Sequence, residues 1–281
     1  MSNTPYAVHK VTSTDGTIIG YRQLGTGPGL LLVHGGNMAS QNFMKLGRAL
    51  ADTFTVYIPD RRGRGLSGPA GDYSLAKESQ DMRAIIQATD ASNIFGLSSG
   101  AIVTLQTALN EPAVSAVALY EPPLGYDPTA WTPQYDKEIA EGKFGAALLT
   151  IAENTGGPSL MTRLRFFLAP LLTLAIKADA KTVKGDDVPL KTLIESQHYD
   201  QLAVMQSGSL MKQAKQLKAR VLLLGGTKSP HYLAAILDEL QKISPTVSRV
   251  ELQGVGHLAA DNSEKPELVA VELKKFFLSQ K

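Results

Sequence analysis

The 281-residue chain has no cysteine. Disulfides, cysteine-bound zinc, iron–sulfur clusters and a thiolate nucleophile are all excluded. Charge of one sign is also scarce. With 28 Lys+Arg against 26 Asp+Glu the net charge is +2, too slight an excess to build the basic stripe that tracks a nucleic-acid strand. Long apolar runs are missing as well. The longest, Phe166 to Ile176, is broken by Pro170 and bounded by Arg165 and Lys177, whereas a spanning helix needs about 20 apolar residues. The stretch from Met1 to Val11 is polar, with Lys10 and no apolar segment, which predicts no secretory leader, no membrane span and a cytoplasmic protein.

What remains is a globular composition, 43% apolar and 19% charged, in a chain long enough to bury a full core without staples. Strand patterns fall at Ala7–Ser13 and Thr17–Leu24, a hairpin turning at Asp15-Gly16, and then at Leu30–Val33, Phe54–Ile58, Ser92–Gly96 and Val114–Tyr120. The later ones are short continuous apolar runs, as strands covered on both faces require. Helical patterns fall between them at Gln41–Asp52, Ser74–Ala88 with Ser74 as N-cap, and Ala101–Leu109. From Leu124 to Lys218 the texture is helical only, broken at Gly156-Gly157-Pro158, Gly185 and Pro189. Strand and helix then alternate again over Arg220–Leu224, Tyr232–Ile243, Val247–Leu252 and Pro266–Leu278. This alternation predicts an α/β fold, a mostly parallel sheet with helices on both faces. The expected organisation is a core of residues 1–123 and 219–281 with a helical cap, 124–218, inserted where the strands' carboxyl ends bind ligands.

The sharpest local signal is Gly96-Leu97-Ser98-Ser99-Gly100, between a buried strand and an apolar helix. A strand turning abruptly into a helix holds its central serine in a strained conformation, and the flanking glycines leave room for neighbouring backbone. Ser98 would project above the sheet as nucleophile, and the Ser99 N–H at the helix start would face the same point. A serine needs a base. Of five histidines, His257 in Gly254-Val-Gly-His-Leu258 follows the last strand, on the same side of the sheet as Ser98. The second oxyanion donor is expected from the turn His34-Gly35-Gly36-Asn37, most simply the Gly36 N–H, since glycines let backbone approach a substrate closely. Asn37, Leu97 and His198 are the candidates for lining the substrate pocket.

Taken together, His34-Gly35-Gly36, Asp60-Arg61-Arg62-Gly63-Arg64-Gly65-Leu66-Ser67, the Gly96–Gly100 elbow and Gly254–His257 make the chain resemble the α/β-hydrolases from end to end. The resemblance implies an eight-stranded, mostly parallel sheet, a helical cap between the sixth and seventh strands, and acyl transfer with no cofactor and no metal. The acid of the triad departs from the usual pattern. The family commonly places it after the seventh strand, but here that stretch is Gly225-Gly226-Thr227-Lys228-Ser229-Pro230, without a carboxylate. A carboxylate is needed to hold the histidine's tautomer and stabilise its imidazolium. Glu121, directly after the sixth strand, is one candidate, as in zearalenone-type lactonases, which the Gly-x-Ser-Ser-Gly elbow also resembles. Asp261 is the alternative acid, although Asp-Asn-Ser-Glu before a helix also reads as a capping segment.

The expectation is therefore a serine hydrolase of a carboxylic ester or lactone, acting on a small molecule with an apolar moiety suggested by cap residues such as Phe144, Leu148, Phe166, Phe167 and Leu171. C–C bond hydrolysis or perhydrolysis on the same triad, and a non-catalytic small-molecule receptor, are the alternatives. A dehalogenase would want a carboxylate where Ser98 stands. The arginines of the 60–67 stretch are expected to brace loops by buried pairing rather than to bind anions.

Overall fold

The computed structural model describes residues 5–157, 159–243 and 247–279; of the residues read above, Met1 to Thr4 and Pro158 lie outside that range. Eight strands form one sheet: β1 (Ala7–Thr12), β2 (Ile18–Leu24), β3 (Gly29–Val33), β4 (Thr55–Pro59), β5 (Asn93–Leu97), β6 (Ala116–Tyr120), β7 (Arg220–Gly226) and β8 (Val247–Leu252). Their order is β1-β2-β4-β3-β5-β6-β7-β8. The β1–β2 hairpin and the β2–β4 pair are antiparallel, and every other pairing is parallel. The central strands are short because they are buried along their whole length, which is the environment their unbroken apolar runs demand.

Alternate residues of each strand feed two separate cores. Leu31, Val33, Ile94, Val117, Leu119 and Leu223 face α2 (Leu75–Thr89), α3 (Ser99–Asn110) and α11 (His231–Ile243). Leu30, Leu32, Phe95, Ala118, Tyr120 and Leu224 face α1 (Met44–Leu50) and α12 (Pro266–Leu278). The period of two along a strand sends neighbouring side chains to opposite faces, and both faces meet helices. At α2 the Ser74 hydroxyl accepts the Lys77 N–H at 3.2 Å, as an N-cap should.

Two boundaries differ from the sequence pattern in ways that matter. The expected helix over 41–52 is a 3-10 turn, Ser40–Phe43, followed by α1. The abrupt strand-to-helix turn is as expected but tighter than the pattern's ends at Gly96 and Ala101: β5 runs to Leu97 and α3 begins at Ser99, leaving Ser98 alone between them. Gly96 and Gly100 belong to the strand and the helix. Their role is close approach, because a Cβ on Gly96 would lie 2.6 Å from the Ala101 Cα and one on Gly100 would lie 2.5 Å from the Val33 carbonyl oxygen.

Between β6 and β7 the chain is helical, with no strand among the described residues: α4 (Thr132–Ala140), α5 (Phe144–Gly156), α6 (Leu160–Arg163), α7 (Arg165–Asp179), α8 (Leu190–Glu195), α9 (Gln197–Gln206) and α10 (Leu210–Gln213). This block has an apolar cluster of its own around Trp131, Tyr135, Phe144, Ile151 and Ile194. Helix α9 ties it to the body of the protein, since Ala203 and Val204 join the larger core beside α3. The apolar face of α7 turns outward: Phe166 is 85% and Phe167 70% exposed.

Candidate active site

Five consecutive strands of the sheet, β3, β5, β6, β7 and β8, bring their carboxyl ends to one edge. Val33 pairs with Gly96, Leu97 with Tyr120, and Tyr120 with Leu224. The residues immediately beyond these strand ends are therefore neighbours, although the sequence spreads them from His34 to His257. Ser98 has φ 56° and ψ −125°, a conformation costing about 1–3 kcal/mol for a residue with a Cβ. Of the four non-glycine residues with positive φ among those described, three are at this edge: Asn37 (φ 54°), Ser98 and Glu121 (φ 45°). The fourth, Asp90, terminates α2. Backbone strain is thus concentrated where the sequence placed its candidate chemistry.

The two candidate acids part company in their contacts. Nδ1 of His257 lies 2.7 Å from Glu121 Oε2, and the other carboxylate oxygen, Oε1, accepts the Gly226 N–H at 2.7 Å. The stretch that lacks a carboxylate after β7 supplies space and a donor instead. A Cβ at Gly225 would sit 3.0 Å from Glu121 Oε1, so the bare Gly225 lets the longer Glu side chain reach across from β6 to the Gly226 N–H. The loop carrying the imidazole is braced by Tyr120, whose hydroxyl donates to the Gly256 carbonyl at 2.8 Å. Asp261 is occupied elsewhere: it accepts Asn42 Nδ2 at 2.9 Å, the Ser263 N–H at 2.7 Å and the Ser263 hydroxyl at 2.6 Å. It lies in the cavity wall, but its carboxylate closes an Asx turn and fixes the 3-10 turn after β3.

Ser98, His257, Gly36, Ser99, Asn37 and Leu97 all line one cavity of about 340 Å³, within the range of small-molecule sites. The Ser99 N–H belongs to the first turn of α3, where no helical carbonyl is available to it. A Cβ on Gly35 would lie 3.3 Å from that of Ser98, so the glycine turn after β3 rests directly against the elbow. His198 is not in the wall. It is half-exposed on the outer side of α9, 3.9 Å from Asp136 and edge-on to Tyr199, because residues 197, 200, 201 and 204 are the ones a helical period turns inward. Of the apolar cap residues expected around a substrate, Leu148 is in the wall while Phe166, Phe167 and Leu171 face outward. Trp131, Tyr126, Ile151 and Tyr232 take their place.

Behind the cavity lies a buried ion cluster. The Arg61 guanidinium grips Glu78 with two bonds of 2.8 and 2.6 Å and reaches Asp200 at 2.7 Å and the Ser99 hydroxyl at 3.0 Å. Asp200 also receives Arg64 at 2.5 Å and the Ser99 hydroxyl at 2.8 Å. Burial alone would push the Asp200 carboxyl up, but Arg64, Arg61 and Ser99 together hold it below the usual carboxylate range. Glu78 and Asp200 in turn keep the Arg61 guanidinium charged despite complete burial. Arg62 pairs separately with Asp81 and Asp15. His34 is buried neutral. Its pKa is driven well below the ordinary value by burial and by Arg64 and Arg61, with Nδ1 donating to the Gly35 carbonyl at 2.9 Å and Nε2 accepting the Arg61 N–H at 3.3 Å. The arginines brace loops, as their pattern suggested. No motif in the sequence singles out Asp200, Gln197 or Gln201, although their spacing puts them on one helix face.

Among the described residues no group of histidine and carboxylate side chains is arranged to hold a metal, and no helix is long and apolar enough to cross a membrane. A family model described as "Alpha/beta hydrolase family" matches residues 30–272. An uncharacterized hydrolase of Bacillus subtilis, YraK, is 32% identical over 114 residues, 39% of this chain and 42% of that protein. The chain thus aligns with less than half of that relative's length. Among solved structures, an α/β hydrolase from Sphaerobacter thermophilus superposes with a TM-score of 0.77 at 26% identity, covering 96% of this chain and 100% of its own. The enol-lactonase of Burkholderia xenovorans superposes with a TM-score of 0.71 at 21% identity, covering 98% and 100%, a likeness of fold. With that sheet order, that elbow and a match over nearly the whole chain, the protein belongs to the alpha/beta hydrolase family.

Proposed function

We propose that the protein is a serine hydrolase that cleaves a carboxylic ester or lactone through an acyl-enzyme on Ser98. The observation that carries this reading is the bond from His257 Nδ1 to a Glu121 carboxylate that is itself anchored on the Gly226 N–H. A proton held on Nδ1 leaves Nε2 as the basic nitrogen, and His257 shares its cavity wall with a serine in a strained strand-to-helix turn. Nε2 takes the Ser98 proton as Oγ attacks the acyl carbon. Glu121 orients the ring and stabilises the imidazolium that forms. The N–H groups of Ser99 and Gly36 receive the oxyanion, each such donor being worth about 2.7–4 kcal/mol of transition-state stabilisation. His257 then protonates the leaving alcohol and activates water for deacylation. The predominantly apolar wall supports a small substrate with an apolar moiety, and the name of the Burkholderia structure agrees with a lactone as one form of it.

The test is direct. A fluorophosphonate probe should label Ser98 in the folded protein, as located by mass spectrometry, and short-chain nitrophenyl esters and lactones should be turned over. Folded protein that remains unlabelled at Ser98 would sink the proposal.

A further inference from the structure

The cavity wall holds more polar groups than the ester reaction uses, and most of them are already satisfied by protein. Asp200 and Asp261 are saturated by the contacts described above. The Tyr126 hydroxyl donates to the Asn154 carbonyl at 2.8 Å and accepts Trp131 Nε1 at 3.1 Å, so both rings present only apolar surface. Three residues of the wall each carry a buried side-chain atom with no partner among the described residues: Gln197 Oε1, Gln201 Nε2 and Asn37 Oδ1. Gln197 is 7% and Gln201 2% exposed, and the Gln201 carbonyl is taken by the Thr132 hydroxyl at 2.8 Å. Leaving a buried polar atom unmatched costs about 1–3 kcal/mol, so these atoms are set for a ligand that matches them.

Their position says which part of the ligand. Gln197 and Gln201 lie one turn apart on the inward face of α9, and a Cβ at Gly36 would be 3.0 Å from Gln197 Oε1. The carboxamide therefore stands over the same glycine turn that supplies the proposed oxyanion donor. Their chemistry says what kind of group. One is an acceptor and the other a donor, which suits a neutral group able to do both, a hydroxyl in its smallest form. A carboxylate does not suit. The wall contains Asp200 and Asp261 and no lysine or arginine among its described residues, while Arg61 and Arg64 are spent on Glu78 and Asp200 behind it. An anionic acyl chain would be desolvated there without a cation.

We propose that Gln197 and Gln201 form a specificity subsite for a neutral hydroxyl-bearing acyl group, and that the pocket rejects acyl chains carrying a free carboxylate. This rests on the ester or lactone reading. Three nitrophenyl esters test it: butanoate, 3-hydroxybutanoate and the monoester of succinate, each enzymatic rate divided by that ester's hydroxide-catalysed rate. The expected order in kcat/KM puts hydroxybutanoate about tenfold above butanoate, and succinate at least tenfold below. Q197L and Q201L should each pull the hydroxybutanoate-to-butanoate ratio towards one, with fluorophosphonate labelling of Ser98 reporting an intact site. A wild-type ratio near one, a ratio unmoved in both variants, or succinate as the best substrate overturns the subsite. So does protein that labels at Ser98 yet hydrolyses none of the three. Protein that does not label at all overturns the underlying hydrolase reading instead, and the two failures are told apart by the probe.

Discussion

Replacing Glu121 by Gln leaves size and shape nearly unchanged and removes one acceptor, which makes it the sharpest probe of the proposed triad. Two donors converge on the native carboxylate: the Gly226 N–H on Oε1 and His257 Nδ1 on Oε2, both at 2.7 Å. An amide can accept from only one of them. If its oxygen faces Gly226, its NH₂ faces Nδ1, which must then be the unprotonated nitrogen; the proton moves to Nε2 and the ring can no longer take one from Ser98. If its oxygen faces His257 instead, the NH₂ is set against the Gly226 N–H and two buried donors go unmatched. At about 1–3 kcal/mol for each, the productive arrangement lies roughly 2–6 kcal/mol uphill. With a factor of ten for every 1.4 kcal/mol, kcat should fall by about 30-fold to 10⁴-fold, the upper end in line with the ~10⁴ loss seen for an Asp-to-Asn change in a Ser-His-Asp triad. The assay is steady-state hydrolysis of a nitrophenyl ester at pH 8 together with the rate of fluorophosphonate labelling, with thermal unfolding showing that the variant remains folded. D261N is the companion, expected to stay within about tenfold because Asp261 bonds Asn42 and Ser263 rather than the imidazole. An E121Q enzyme within tenfold of the native kcat, or a larger loss in D261N, refutes the assignment.

The remaining expectations concern stability. D200N leaves Arg61 and Arg64 buried without their shared anion and should cost about 3–5 kcal/mol, read as a lower urea midpoint; a shift below 1 kcal/mol would mean the cluster is not the brace described. His34 ties stability to pH. Its folded pKa is depressed by burial and by Arg64 and Arg61, so below about pH 6.5 the unfolded chain takes up a proton that the folded chain refuses. Stability on this account is complete above pH 6.5 and declines by about 1.4 kcal/mol per pH unit as pH falls towards the folded value; urea titrations that show no loss between pH 7 and 5.5 would contradict it. G100A puts a methyl group against the backbone carbonyls of Val33 and His34 and should prevent soluble expression, whereas a stable, labelled variant would show that β3 and α3 can separate.

Much of the scaffold was legible because its determinants are local. Buried strands declare themselves as short apolar runs, and Gly96-Leu97-Ser98-Ser99-Gly100 encodes its own turn. The strand ends at Ser98, Glu121 and His257 were legible for the same reason, each following a run that could be recognised alone. What escaped depends on how separate segments meet. Nothing near Asp200 in the sequence says that it will close onto Arg61 and Arg64, more than 130 residues earlier in the chain. The outward turn of Phe166 and Phe167 was equally hidden, since an apolar helix reads the same whether it covers a pocket or faces away. Gly225-Gly226 shows a third kind of limit. As a string it looked like a missing acid; in three dimensions it is the gap and the donor that let an acid arrive from the neighbouring strand.

The ion cluster has a consequence beyond stability. Asp200 belongs to α9 yet bonds the hydroxyl of Ser99 at 2.8 Å, and its carboxylate would lie 3.2 Å from a Cβ on Gly36. One side chain thus touches the neighbourhood of both proposed oxyanion donors, and it does so from the helix that carries Gln197 and Gln201. A shift of α9 would be felt at the substrate subsite and at the oxyanion turn together, and a misplacement of about 1 Å at a reacting centre can cost 10²-fold in rate. Completely buried guanidinium–carboxylate bonds resist such a shift better than apolar packing does, because separating them exposes unpaired charge to a medium that cannot solvate it. Strain at Asn37, Ser98 and Glu121 favours relaxation of the loops after β3, β5 and β6. The cluster is positioned to oppose that relaxation at the first two, and the Gly226 N–H opposes it at the third.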